Sequence, residues 1–89
     1  MVTYEWVVEV MDGIDIVDTR AWTTLAEAQR DAQGEQYVIV LVRDDWRDGD
    51  LDGRAWAYPV DGALPAVLTD ASGRDFKVPQ KYAKEWATP

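Results

Sequence analysis

The chain has 89 residues, 47% of them hydrophobic, and carries 17 acids against 9 bases with neither cysteine nor histidine. That length predicts one domain over residues 1–89, and the apolar content excludes wholesale disorder. The missing cysteine excludes disulfides and thiolate metal sites, the missing histidine removes the usual general base near neutral pH, and a net charge of −8 argues against direct binding to nucleic acid or an anionic membrane.

"TYEWVVEV", residues 3–10, alternates: Tyr4, Trp6, Val8 and Val10 share one face, and Thr3, Glu5, Val7 and Glu9 the other. That is the pattern of a half-buried strand. The opening "MVTYEWVVEV" has no basic start and two glutamates interrupt its apolar run, so it reads neither as a signal peptide nor as a membrane span. Asp12-Gly13 suits a tight hairpin turn. "IDIVDTRAW" then returns as a second strand, with Ile14 and Ile16 expected inward. Its alternation weakens at Asp18, which falls on the inward face unless a bulge resets the register.

Thr24-Leu25-Ala26-Glu27 has capping-box spacing and predicts a helix that runs to about Gln33 and stops at Gly34. Its inward face, Leu25, Ala28 and Ala32, is small. "YVIVLV", residues 37–42, is apolar on both sides and is expected as a central strand covered on both faces. Beyond an acidic stretch, "AWAYPV" puts Trp56, Tyr58 and Val60 on one face. Pro59 cannot donate to a ladder, so this strand lies at an edge or ends early.

Asp61-Gly62 offers another turn, followed by a short strand or two around "AVLT" and "DFKV", with Ser72-Gly73 between. Pro79 opens a closing helix, "PQKYAKEW", anchored by Tyr82 and Trp86. The sum is an α+β fold: a small, mainly antiparallel sheet of about four strands (β-β-α-β-β), one packed helix and a short C-terminal helix. The helical crossover makes the second and third strands parallel. The Asp12 turn and the acidic stretch then sit at opposite ends of the sheet.

The acidic stretch, "RDDWRDGDLDGR" at residues 43–54, holds Asp44, Asp45, Asp48, Asp50 and Asp52, with Trp46 among them. Asp48, Asp50 and Asp52 before Gly53 match the opening of an EF-hand loop, which makes a calcium-stabilised binding module the alternative function. The twelfth position of that loop, where a bidentate glutamate belongs, is Pro59, and the flanks read as strands. A second reading is structural: four of the six glycines follow an aspartate, so Asp-Gly is how this chain turns. The third is a decoy. Turns need one aspartate each, and five carboxylates beside Arg43, Arg47 and Arg54 leave a local excess that only an external cation offsets. Residues 1–70 carry 15 acids and 5 bases, a net of −10, whereas residues 71–89 carry +2. Rigidly displayed carboxylates resemble a phosphate track to a protein that binds nucleic acid.

A compact, cysteine-free α+β chain with this acidic excess, with "RDDWRDGDLDGR" and without catalytic residues resembles small phage-encoded inhibitors of host defence, including anti-CRISPR proteins and other DNA mimics. The resemblance implies a non-enzymatic protein in the host cytoplasm. Its acidic surface would occupy the basic nucleic-acid-binding site of a partner, such as a CRISPR effector. Asp44, Asp45, Asp48, Asp50 and Asp52 would face that site with Trp46 at the contact, and Glu5 and Glu9, on the outward face of the first strand, are the expected additions. No cofactor is expected. A structural subunit of a larger particle is the bland alternative.

Enzyme chemistry finds few residues to use. Ser72, the single serine, lies in a Ser-Gly turn without histidine or cysteine to activate it, and there is no glycine-rich phosphate loop. Lys77, Lys81 and Lys84 read as a solvated helix face.

Overall fold

The computed structural model describes residues 2–44 and 54–88, and of Asp44 the backbone alone. The strands are β1 (Thr3–Asp12), β2 (Asp15–Trp22), β3 (Tyr37–Asp44), β4 (Arg54–Ala57), β5 (Val67–Asp70) and β6 (Asp75–Lys77); the helices are α1 (Leu25–Asp31) and α2 (Gln80–Ala87). The strands form one sheet in the order β2-β1-β3-β4-β5-β6, and every neighbouring pair is antiparallel. The fold is thus α+β, with six strands among the described residues where the sequence suggested about four. The two extra strands are the short ones around "AVLT" and "DFKV".

Both helices cover the same face. Trp6 and Val8 of β1, Leu41 of β3, Ala55 of β4 and Leu68 of β5 are fully buried there, joined by Ala28 of α1. Trp86 of α2 stacks on Trp6 at 5.9 Å between centroids, and Tyr82 lies 4.9 Å from Tyr4, so α2 is anchored by the residues its spacing indicated. Thr24 caps α1: its hydroxyl accepts from the Glu27 amide at 3.2 Å and donates to the Glu27 carboxylate at 2.8 Å. Leu25, Ala28 and Ala32 are all buried.

One carboxylate ties three elements together. Glu85 of α2 accepts from the buried Trp6 indole at 3.0 Å and from the Leu25 amide at the start of α1 at 2.8 Å. Asp70, almost fully buried, does the same for the β5–β6 turn. It accepts from the Ser72 amide and hydroxyl and from the Arg74 amide and guanidinium, at 2.7 to 2.9 Å. Arg20 bonds Asp18 at 2.9 Å and Asp31 at 3.0 Å, linking β2 to the end of α1.

Several expectations are corrected. Ile14 and Ile16 are exposed rather than inward, at 93% and 50%. The hairpin loop is Gly13-Ile14, with Asp12 paired to Asp15 and positive φ at Gly13, the glycine-first pattern of a II′ turn. The register then shifts between Val10 and Met11, and Ile16 pairs with Met11 on the face the helices leave open. Asp18 does fall opposite Val10, on the helix-covered side, where Arg20 neutralises it at the sheet edge. Of the two expectations for the strand before Pro59, the early end holds: β4 stops at Ala57 and lies inside the sheet. Lys77 belongs to β6; only Lys81 and Lys84 stand on the exposed side of α2. β3 is central, but the helices among the described residues cover only one of its faces, because both pack on the Trp6 side. The Asp12 turn lies at the opposite end of the sheet from Asp44, as Thr3↔Asp44 and Val10↔Tyr37 require.

Candidate functional site: the open face of the sheet

Glu5, Val7 and Glu9 of β1 point away from the helices, since strand side chains alternate. Antiparallel pairing sets Val42 beside Glu5, Val40 beside Val7 and Val38 beside Glu9. On the far side of β3, Val42 also pairs with Trp56. Glu5, Val42 and Trp56 therefore stand in one row across three strands. Tyr58, just past β4, lines the same open depression, whose volume is about 450 Å³. Its floor is apolar, with Val40 buried between Val7 and Tyr58, and its rim is polar. Trp56 is 39% exposed and Tyr58 42%. No helix among the described residues lies over this face.

The two glutamates differ in their surroundings. The Glu9 carboxylate lies near the Tyr58 hydroxyl. Partial burial, and then the nearby Glu9 carboxylate, push the Tyr58 pKa up to about 12. Glu5, half-buried in the same depression, has no hydrogen-bond or ion-pair partner among the described residues. Arg54 lines the end nearest the acidic stretch and pairs in register with Asp44.

Of the residues expected at a partner-binding site, Glu5 and Glu9 are on this face. Asp44 ends β3, with its backbone opposite Thr3 and Arg54. Asp45, Trp46, Asp48, Asp50 and Asp52 lie outside the described residues, and with them the calcium loop and any grouping of the five aspartates. Trp56 and Tyr58 were expected to share a face; the new finding is that this face is the open one and that Glu5 stands beside it. The signal was in the alternation "RAWAY", whose other members, Ala55 and Ala57, are small enough to lie under the helices.

Among the described residues no three acidic side chains converge to hold a metal, and no helix is long and apolar enough to cross a membrane. No known family model, curated protein or solved structure matches the chain.

Proposed function

We propose that this chain is a non-enzymatic interaction protein that sets an acidic surface against a basic, nucleic-acid-binding partner and occupies the site where that partner holds nucleic acid. The observation that carries the reading is the open sheet face, where Glu5, without a partner among the described residues, and a nearby Glu9 rim an apolar floor beside an exposed Trp56. A tryptophan next to carboxylates supplies an anchor and a charge preference together. The −10 balance of residues 1–70 adds long-range attraction for a cationic surface. The acidic stretch joins β3 to β4 at the Glu5 end of this face, so Asp44, Asp45, Trp46, Asp48, Asp50 and Asp52 would extend the same surface. By its resemblance to anti-CRISPR and DNA-mimic inhibitors, the chain would act in the cytoplasm of a host cell, with a CRISPR effector as one partner of the right chemistry.

Affinity capture from host lysate, followed by competition, tests this. The expected partner binds nucleic acid, is displaced by that nucleic acid, and is released as salt rises from 50 to 500 mM, because screening weakens exposed charge contacts. A captured partner that nucleic acid does not displace, or that holds equally well at high salt, overturns the reading.

A further inference from the structure

We infer that the row Glu5–Val42–Trp56 is a receptor for one arginine side chain of the partner. The inference rests on the reading above and names the chemistry that its surface takes. Glu5 and Trp56 flank Val42 on neighbouring strands, two strand spacings apart, or about 9.5 Å between backbones. A guanidinium is planar. One face stacks on an aromatic ring within about 6 Å of its centroid, while its edge donates to a carboxylate, and the pair needs a gap of that size. Val42 provides the apolar floor on which the aliphatic stem of arginine lies.

Three observations select this occupant. Glu5 has no hydrogen-bond or ion-pair partner among the described residues and stands in the same row as Trp56, whereas Glu9 lies near Tyr58, so Glu5 is the carboxylate placed to receive a donor beside the indole. Trp56 keeps 39% of its surface exposed even though both of its neighbours on β4, Ala55 and Ala57, are buried. A second copy of the chain is disfavoured: face-to-face association would oppose Glu5 and Glu9 of one molecule to those of the other, at −8 each. Lysine fits less well, because a compact ammonium does not stack on the indole while it donates to a carboxylate.

The test is titration of the full chain with acetyl-Gly-Arg-Gly-amide and, separately, acetyl-Gly-Lys-Gly-amide, followed by nitrogen–proton correlation spectra. The expected result is a shift of the Trp56 indole and of the Glu5 and Val42 amides with the arginine peptide. Glu5→Gln, which keeps the shape and removes the charge, should weaken that response about tenfold. Trp56→Phe, which keeps a smaller ring, should weaken it less. An equal response to the lysine peptide, shifts confined to other surfaces, or an unchanged affinity in Glu5→Gln overturns the inference. The outcomes separate it from the functional reading. Capture of a nucleic-acid-binding partner whose affinity Glu5→Gln leaves intact rejects this receptor and keeps the function. An arginine-specific response in a chain that captures no such partner rejects the function and keeps the receptor.

Discussion

Glu85 ties α2 both to β1 and to the start of α1, and replacing it by alanine is the sharpest test of how the two helices are held. The carboxylate accepts from the Trp6 indole on one oxygen and from the Leu25 amide on the other. Trp6 is fully buried, so alanine leaves its N–H unsatisfied away from water, at a cost of about 1–3 kcal/mol. The Leu25 amide is one of the free donors at the start of α1, and losing its anionic acceptor removes about 0.5–1 kcal/mol more. Together, about 2–4 kcal/mol is a large share of the ~4–13 kcal/mol typical of a domain this size, and lowers the melting temperature by about 10–25 °C. Urea unfolding followed by tryptophan fluorescence measures it, with the denaturant slope unchanged if both states stay as compact. Glu85→Gln should recover half or less, because an amide offers one acceptor oxygen and turns an NH2 toward the second donor. A loss below about 0.5 kcal/mol in Glu85→Ala would refute the tie.

Other outcomes follow from the same contacts. Trp22→Phe should cost less than about 1 kcal/mol, since the buried Trp22 indole nitrogen has no partner among the described residues; Trp6→Phe, which takes a donor from Glu85, should cost about 2–4 kcal/mol by urea unfolding. Asp70 is held down at about 2 by the Ser72 hydroxyl, with the Arg74 amide and guanidinium and the Ser72 amide also lowering it. Because its folded pKa lies below the ordinary 3.8, its stabilisation is complete above about pH 4 and lost as pH falls toward 2. Asp70→Asn should therefore be destabilised at pH 7 and converge with the parent protein near pH 2, and parallel melting curves at all pH values would contradict this. On the acidic-surface reading, millimolar calcium leaves the melting temperature unchanged; a rise of several degrees would favour the Asp48, Asp50 and Asp52 loop as a metal site.

Much of the fold is legible where one physical signal is local and unopposed. β1 alternates cleanly, α1 carries its own cap, and Tyr82 and Trp86 lie four apart on α2 and meet Tyr4 and Trp6. Even the irregularity in β2 was visible, since Asp18 broke the alternation where the register shifts. The roles of Glu85 and Asp70 were harder to see. Glu85 meets Trp6 across 79 positions of sequence, and nothing local marks that pairing. Asp70 had a faint signal: an aspartate two residues before Ser72 and four before Arg74 is spaced to fold a turn onto its own side chain. Ile14 and Ile16 misled because β-branched residues suit strands whether or not a helix covers them.

The candidate site was half legible for a different reason. Alternation fixes which residues share a face but not which face is the core. In "RAWAY" the larger side chains would ordinarily be assigned inward, and the structure does the reverse. Trp6, Tyr82 and Trp86 already fill the layer between sheet and helices, so β4 can enter it only with methyl groups, and Ala55 and Ala57 are what the space admits. Trp56 is then displaced to the open face, into the row that also holds Glu5. A tryptophan that the core does not need, standing half-exposed beside a carboxylate with no partner among the described residues, is difficult to account for by packing alone. That surplus, more than the acidic composition of the chain, makes the open face the surface on which to look for a partner.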